Sequence, residues 1–410
     1  MGTASTALKM LIQPKKACGT EFVPVYEREF AHTIVGKDIP TLAFNRGRVA
    51  LWAILKAASV DKGSEVILPA YTCETVPMAV KFAGAKCVYT DVEPGYYNVP
   101  LEHVKKVLTS HAKVVICQHT YGITQPVRDW AGFVSKNGIL LVEDRCQMAA
   151  DVSDGCSTSI AGDAAYFSTH FSKPFSTGQG GLVVFSNDRM YSAVEQLRAE
   201  FPLNGERKRV NRLAFQVLLY TLTVRPLTRA VIGNVFRWAQ RCGLIRGTIS
   251  VDEYGEQMPK DYLSRSSNFQ ASLGIEQLHR WRENCQHRRR LTKFYMERLA
   301  SLGIDVGSFR QGDEEPVLLM VPVLVNNKEE VLKRAAKKSL PIGTWFDRSP
   351  AHINPESAHL YDYRPGQCPQ AERLISKEIH LLTAPWVTEH QAERAIEFIR
   401  QYAEIYDSQD

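Results

Sequence analysis

The stretch "EVILPAYTCETVPMAVKFAGAKCVYTDV", residues 65–92, decides the fold class of this chain. Its first seven residues are a short apolar run with a proline, which is typical of a buried strand. Residues 73–85 then follow a helical pattern that Gly84 closes, and residues 86–92 predict a second strand. Parallel strands need a crossover connection between them, usually a helix. The stretch therefore predicts one unit of a parallel sheet.

The same alternation of strand-like and helix-like segments continues from about residue 47 to residue 186. Strands that alternate with helices of this length favour an α/β domain with a mostly parallel sheet covered on both faces. Ligands of such sheets bind beyond the carboxyl ends of the strands. That rule marks three strand ends as candidate site loops: "PAYTC" (69–73), "CQHTYG" (117–122) and "VEDRCQ" (142–147).

Four regions are predicted along the 410 residues. Residues 1–40 form an N-terminal arm, and residues 41–204 form the large domain. Residues 205–250 are a basic helical insertion. Residues 251–410 mix helical and strand-like patterns and predict a smaller α+β domain.

Composition excludes several classes of protein. Hydrophobic residues make up 44% of the chain, which is enough for a large core. The nine cysteines are scattered, without CxxC spacing or a Cys/His cluster of zinc-site type, as expected for reduced thiols in the cytoplasm. The first 16 residues lack a signal-peptide core, and no apolar run approaches the roughly 20 residues of a membrane-spanning helix.

One lysine lies in unusual surroundings. Lys173 occurs in "YFSTHFSKPFSTGQGG" (166–181), and no other Asp, Glu, Lys or Arg lies between Asp163 and Asp188. A lysine that acts as a nucleophile must be reachable and partly desolvated, which fits aromatic and hydroxyl neighbours. The glycines that follow allow a tight turn and close approach of a ligand. The alternative is an ordinary lysine whose stem packs at a strand end.

Three other features point to the same chemistry. Asp144 ends a strand and can hold a proton on a pyridine nitrogen; alternatively it is a loop or cap acid. The loop "NRGRVAL" (45–51) places Gly47 and two arginines at a helix start, which suits a phosphate, or it is an ordinary basic loop. His119 lies at another strand end, where a structural role is the alternative. Together with Lys173 these features suggest a pyridoxal phosphate enzyme.

The order and spacing of these motifs resemble the DegT/DnrJ/EryC1/StrS family of sugar aminotransferases. That family has the aspartate-aminotransferase fold, the type I fold of pyridoxal-phosphate-dependent transferases. The resemblance covers residues 44–200 well and residues 262–405 more loosely. The segments that carry it are "RGRVALWAIL", "SEVILPAYTCETVPMAVKFAGAKCVYTDVEPGYYNV", "VICQHTYG", "LVEDRCQ", "GDAAYFSTHFSKPFSTGQGGLVVF", "NFQASLGIEQL" and "CPQAERL".

The resemblance implies a role for each matching residue. Lys173 would bind pyridoxal 5'-phosphate through an internal aldimine and then carry the proton between the reacting carbons. Asp144 would pair with the pyridine nitrogen, and Gln147 would lie near the cofactor ring. Ser168 would bind the phosphate.

Further matching residues would complete the cofactor site. Gly47 and Arg48 lie where the family has its phosphate loop. His119 matches the histidine of the family's strand-end motif. Cys73 stands where many members stack an aromatic ring on the cofactor, and Tyr71 or His119 could take that place.

The chain departs from the family pattern at the phosphate loop. Arg48 replaces a small hydroxyl residue, and Leu263 stands two residues before Arg265, where members often have an asparagine. The charges of Arg46 and Arg48 are expected to compensate for that asparagine.

The basic insertion departs from the family in another way, because most relatives have a shorter link there. Residues 207–251 contain nine Lys and Arg residues and no acid, which exceeds the net charge of +6 of the whole chain. Arginines beside apolar side chains fit an interfacial helix on an anionic membrane. The alternatives are a helical flap packed on a dimer, or contact with a partner or an anionic substrate.

The resemblance implies an aminotransferase that moves an amino group, with glutamate as the expected donor, onto a keto carbon of a nucleotide-linked sugar by ping-pong kinetics. A homodimer in the cytoplasm is expected, with peripheral contact at the inner membrane surface through residues 207–247. No metal and no nucleic acid partner are expected. The alternatives are a transaminase of another keto substrate, which could be lipid-linked, and a non-catalytic membrane-associated or regulatory homologue.

Overall fold

The computed structural model describes residues 2–149, 160–202, 207–223, 258–259, 262–309, 316–346, 353 and 355–406. The chain forms two compact units. The first unit comprises Met1–Ser59 and Asp151–Arg282, and the second comprises Val60–Ala150 and Glu283–Asp410. The predicted domain boundaries at residues 40, 204 and 250 stay a prediction.

The helices and strands follow one another in chain order. Those before residue 150 are α1 (Gly2–Ile12), α2 (Pro14–Cys18), α3 (Val23–Phe30), β1 (Thr41–Phe44), α4 (Gly47–Ala57), β2 (Glu65–Pro69), α5 (Thr75–Ala83), β3 (Lys86–Thr90), α6 (Leu101–Val107), β4 (Ala112–Gln118), α7 (Val127–Lys136) and β5 (Leu140–Asp144). Those from residue 160 to 301 are β6 (Ala164–Ser168), β7 (Gly181–Phe185), α8 (Asp188–Ala199), α9 (Arg207–Thr223), α10 (Asn268–His279) and α11 (Trp281–Ser301). The remaining ones are β8 (Met320–Leu324), α12 (Lys328–Lys337), β9 (Ile342–Gly343), α13 (Pro369–Lys377), β10 (Glu378–Leu382) and α14 (Glu389–Tyr402). Short π or 3-10 turns occupy Ala31–Val35, Thr120–Gly122, Gly307–Phe309 and Pro355–Tyr361.

The second unit holds the parallel strands, in the order β5-β4-β2-β3. Glu65 pairs with Lys86, and Val114 pairs with Leu140. The strands are buried along most of their length, as expected for a sheet covered on both faces. A small antiparallel sheet, in the order β8-β10-β9, lies in the later part of the same unit.

The first unit holds an antiparallel layer in the order β1-β7-β6. A separate apolar cluster joins α1, α2, α9 and α10. Its buried members are Ala7, Met10, Ala17, Val210, Leu213, Ala214, Val217, Phe269 and Leu273. Helix α9 is thus anchored in the core of this unit.

The predicted α/β fold class is confirmed, and the predicted strands and helices between residues 47 and 199 form. The alternation did not reveal that β6 and β7 pair antiparallel, nor did it reveal the strand β1. Within the predicted α+β region, α10 and α11 are separated at Arg280, whose φ of −107° lies outside the helical range. Of the predicted insertion 205–250, the described residues are 207–223, which form α9.

The backbones of α4 and β7 approach each other closely in the first unit. A β-carbon added to Gly181 would lie 2.5 Å from Gly47 Cα and 3.0 Å from the carbonyl oxygen of Phe167. Both neighbours are backbone atoms, so neither can turn away as a flexible side chain would. Only glycine at residue 181 allows helix α4 to begin this close to the strand.

Replacing Gly181 with alanine should therefore lower the free energy of unfolding by about 1–3 kcal/mol, the usual cost of overpacking. Urea denaturation followed by circular dichroism measures the change. The matched control is Gly132→Ala on α7, where an added β-carbon meets no atom within 4 Å. That variant should be neutral or up to about 1 kcal/mol more stable, because alanine favours helices. Equal stability of the two variants would contradict the claim that the approach of α4 to β7 requires glycine at residue 181.

Candidate functional site

The start of helix α4 and the end of strand β6 meet in the first unit. A β-carbon on Gly47 would lie 3.1 Å from Ser168 Cβ and 3.2 Å from Ser168 Oγ. The residue before the helix, Arg46, has extended backbone angles, and its side chain makes no cap hydrogen bond. The first N–H groups of an α-helix have no partner within the helix and attract anions. The Ser168 hydroxyl beside this helix start suits a phosphate group.

Two arginines at the same helix start contact one tyrosine. The guanidinium carbons of Arg46 and Arg48 lie 4.2 and 5.3 Å from the ring centre of Tyr262. Arg48 also donates from Nη1 to the Tyr262 hydroxyl oxygen at 3.3 Å, and both side chains are buried. The structure thus orders Arg48 on Tyr262, and its predicted role toward a phosphate stays a prediction.

Lys173 lies in a compact loop that begins directly after Ser168. Its N–H donates to the carbonyl of His170 at 3.0 Å, and the residue is half-buried. The loop is closed by hydrogen bonds between Thr169 and Thr177, through backbone (3.0 Å) and hydroxyl (2.7 Å) groups. Gly180 has a φ of 156°, and a β-carbon there would lie 2.4 Å from Thr169 Oγ1. The predicted close turn after the lysine is present, and it requires glycine.

The pKa of His170 reflects the positive charges around the Lys173 loop. Burial, together with the positive charges of Lys173, Arg46 and Arg48, lowers the pKa of His170 to about 3. The imidazole is therefore neutral at physiological pH. A region where three cations disfavour a fourth positive charge is suited to a dianion such as a phosphate ester. The donor set of the first unit therefore fits the phosphate of pyridoxal phosphate.

Asp144 ends strand β5 in the second unit, as predicted. The side chain is buried, and its Oδ1 accepts a hydrogen bond from the Cys146 N–H at 3.0 Å. The Asp144 carbonyl accepts from the N–H of His119 at 3.1 Å, which joins the ends of β4 and β5. The carboxylate is held at a carboxyl strand end, where ligands of parallel sheets bind.

His119 belongs to a buried charged cluster that sequence reasoning missed. Glu143 is wholly buried, and Arg145 Nε and Nη2 both lie 2.7 Å from Glu143 Oε2. His119 Nε2 lies 3.4 Å from the same oxygen, and its Nδ1 accepts from the Gln125 N–H at 3.2 Å. Because Nδ1 accepts, the neutral ring carries its proton on Nε2, facing the carboxylate. In the sequence, the run "EDR" (143–145) at the end of a buried strand was the signal that could have indicated this cluster.

Burial keeps His119 neutral, since it lowers the pKa of the imidazole more than the Glu143 carboxylate raises it. Arg145 adds to the lowering. The Gln125 N–H and the Glu143 carboxylate hold the His119 ring in one orientation.

Gln147 holds an unusual turn. Its Oε1 accepts from the Tyr121 N–H at 2.6 Å, and Tyr121 has left-handed backbone angles, with φ of 58° and ψ of 5°. The Tyr121 hydroxyl lies 2.5 Å from the Tyr71 hydroxyl, and both rings are wholly buried. A non-glycine residue in this conformation costs free energy and is common at functional sites.

Cys73 lies in the loop after β2 and is half-buried. The Thr75 hydroxyl donates to its Sγ at 3.4 Å. Tyr71 packs edge-on against Phe346 at 4.8 Å, so both rings proposed for stacking, Tyr71 and His119, are held by protein contacts. The choice between Tyr71 and His119 as the ring that would stack on the cofactor stays open.

The predicted site residues thus fall into two groups, each within one compact unit. Gly47, Arg48, Ser168 and Lys173 lie in the first, and Cys73, His119, Asp144 and Gln147 lie in the second. Within the described ranges, no three His, Cys, Asp or Glu side chains form a cluster that could hold a metal ion.

Comparison with known proteins gives a family match over most of the chain. The DegT/DnrJ/EryC1/StrS aminotransferase family matches residues 6–217 and 237–400. A GDP-perosamine synthase from Vibrio cholerae is 26% identical over 187 residues, which are 46% of this chain and 50% of that protein. This match therefore spans half the length of that relative.

Two further similarities cover more of the chain. A pleiotropic regulatory protein from Geobacillus stearothermophilus is 23% identical over 361 residues, or 87% of this chain and 83% of that protein. The PLP-form of a putative sugar aminotransferase from Streptococcus pneumoniae superimposes with a TM-score of 0.71 at 18% identity, over 97% of this chain and 95% of that one. At this identity the superposition shows the shared fold.

Proposed function

Because the chain belongs to the DegT/DnrJ/EryC1/StrS aminotransferase family, we propose that it transfers an amino group onto a keto carbon of a nucleotide-linked sugar. Glutamate is the proposed donor. The observation that carries the proposal is the loop of Lys173, which begins at Ser168 beside the helix start at Gly47. It supplies an amine and a phosphate cradle within one short segment. The name of the Vibrio cholerae relative supports the substrate class.

Pyridoxal phosphate is the proposed cofactor. Gly47, Ser168 and the first N–H groups of α4 would hold its phosphate, with Arg46 and Arg48 contributing positive charge. Asp144 would bind its pyridine nitrogen, and Gln147, His119 and Cys73 would lie near its ring. When bound, the cofactor supplies an electron sink for negative charge that develops at the amine-bearing carbon.

Lys173 has two roles in the proposed mechanism. Its Nζ would hold the cofactor covalently and so orient the ring. Once free, Nζ would act as the base that takes the proton from the donor carbon and as the general acid that returns it. The hydrogen bonds of the loop hold the backbone that carries Lys173.

Asp144 would hold a proton, and with it a positive charge, on the ring nitrogen of the cofactor. The Cys146 N–H binds Oδ1, so the carboxylate has a fixed direction. The His119 N–H binds the Asp144 carbonyl and fixes the strand end that carries this carboxylate. Because the enzyme would take the amino group from the donor before passing it to the acceptor, the donor's keto product would leave before the ketosugar reacts, which would give ping-pong kinetics.

A cytoplasmic homodimer is proposed with this activity, on the resemblance to the family. The alternative of another keto substrate, including a lipid-linked one, stays open. So does a regulatory role, which the name of the Geobacillus relative supports.

Incubation of the protein with ¹⁵N-glutamate and a panel of nucleotide-linked ketosugars tests the proposal. The expected product is an aminated sugar that carries ¹⁵N, detected by mass spectrometry. Lys173→Ala removes the acid and base at the reacting carbon and should lower the rate by about 10²–10⁴-fold or more. The control is Lys136→Ala on α7, which should keep the full rate. An unchanged rate in Lys173→Ala, or no amination from a cofactor-loaded protein with any ketosugar, would contradict the proposal.

Peripheral membrane contact is the second proposal for this chain. Large apolar side chains are exposed on two helices of one core cluster: Leu8 (55%) and Ile12 (73%) on α1, and Phe215 (53%) on α9. Neither helix contains an acidic residue. Exposed apolar groups on a basic surface suit the headgroup region of an anionic bilayer. None of the described helices is long and apolar enough to cross a bilayer.

Phe215→Ser tests this contact better than deletion of residues 207–247, because α9 also supplies buried core residues. Vesicles with anionic lipid should pellet the wild type, and Phe215→Ser should pellet at least several-fold less. Thr221→Ser on the same helix is the control and should pellet like the wild type. Equal pelleting of Phe215→Ser and wild type would remove the membrane proposal. A change from dimer to monomer in Phe215→Ser would instead assign this surface to a flap on the dimer.

A further inference from the structure

A basic pocket lies in the first unit, beside the start of α9. It has a volume of about 70 Å³ and is lined by Asn45, Arg46 and Gln179 on one side and by Arg209 and Arg212 of α9 on another. One water occupies a site of about 10–15 Å³, so the pocket has room for several waters or for a small anion. Gly47, Arg48, Ser168 and Lys173 do not line it, so the pocket adjoins the proposed cofactor cradle and shares only Arg46 with these described residues.

The floor of the pocket is rigid. Gln270 Nε2 donates to the carbonyl of Gln179 at 2.7 Å and to the carbonyl of Asn45 at 3.3 Å. Gln270 also completes a capping box with Ser267 at the start of α10, so its side chain is fixed at both ends. This amide joins three separate segments beneath the pocket.

The wall of the pocket is fixed by the core. Val210, Leu213 and Val217 of α9 are buried in the apolar cluster, which sets the rotation of the helix. Arg209 and Arg212 are three residues apart, so they lie on the same face of α9. Both are half-buried beside the pocket.

Positive charge dominates the pocket. Arg46, Arg209 and Arg212 supply three guanidinium groups, and none of its described lining residues carries a carboxylate. Arg46 is further oriented by the Tyr262 ring at 4.2 Å. Guanidinium groups bind phosphate oxygens through pairs of parallel hydrogen bonds.

Asn45 adds a polar group that suits an anion. It is buried, and its Nδ2 lies 2.6 Å from Ser264 Oγ. Its Oδ1 has no hydrogen-bond partner among the described residues. If the amide turns by 180°, the Ser264 hydroxyl donates to Oδ1 and the NH₂ group becomes the one that can serve a ligand.

We propose that this pocket, formed by Arg46, Arg209, Arg212 and Asn45, binds a phosphate group of the substrate's diphosphate. The inference rests on the proposed function for the identity of the ligand. A nucleotide-linked and a lipid-linked sugar share this diphosphate, so the pocket serves either source. The residues of α9 would thereby hold the substrate at its phosphate end.

Titration calorimetry of cofactor-loaded protein with inorganic pyrophosphate tests the pocket without relying on amine transfer. The variant Arg209→Gln/Arg212→Gln keeps helix-forming side chains and should bind pyrophosphate at least about tenfold more weakly, since charge-assisted hydrogen bonds are lost. Lys208→Gln is the matched control, because this exposed residue of α9 does not line the pocket. It should bind pyrophosphate like the wild type, and all three proteins should have equal melting temperatures.

Equal affinity of the double variant and the wild type would overturn the proposal, as would an equal loss in Lys208→Gln. Uridine diphosphate and farnesyl diphosphate then distinguish the two sources, since the ligand that gains more affinity over pyrophosphate identifies the group attached to the diphosphate. Pyrophosphate binding that depends on the two arginines would support the pocket even if no ketosugar is aminated. Amination without such binding would support the proposed function and reject the pocket.

Discussion

The close approach of helix α4 to strand β7 is the constraint on which the rest of the first unit depends. Gly47 and Gly181 bring two backbones within a distance that a single β-carbon would fill. This approach places the helix start against Ser168 at the end of β6. The Ser168 hydroxyl and the first helical N–H groups therefore face the same space, and the Lys173 loop begins there. One backbone contact thus brings together the groups proposed to hold a phosphate and the loop that carries Lys173.

In the second unit, the candidate site residues are positioned by the ends of parallel strands. Parallel strands end at the same edge, so β4 and β5 place His119 and Asp144 side by side, joined by a backbone hydrogen bond. Glu143 and Arg145, next to Asp144 in the chain, form a buried ion pair. The carboxylate of Glu143 also faces the imidazole of His119. Breaking such a pair by removing one partner is costly, so these charges hold the strand end in place. Asp144 thus has a fixed position although it lies at the end of a strand.

Local pattern predicted much of this fold but could not supply what depends on distant contacts. Apolar periodicity and a glycine stop predicted β2, α5 and β3, because these signals lie within each segment. These patterns could not show that β6 and β7 pair antiparallel, since the sequence pattern of one strand does not identify the strand that pairs with it. The helices α1 and α2 were missed because they are stabilised by packing on α9 and α10. Burial of Glu143 and Arg145 was unexpected because these residue types usually lie on the surface.

The central claim is that Lys173 carries the cofactor and performs the chemistry. Borohydride reduction of the pyridoxal-phosphate-loaded protein, followed by peptide mass spectrometry, measures this directly. The account predicts that the cofactor becomes permanently attached to the peptide that contains Lys173, and that Lys173→Ala releases all cofactor on dialysis after reduction. Permanent attachment to a different lysine, or no attachment in a protein that aminates ketosugars, would contradict the account.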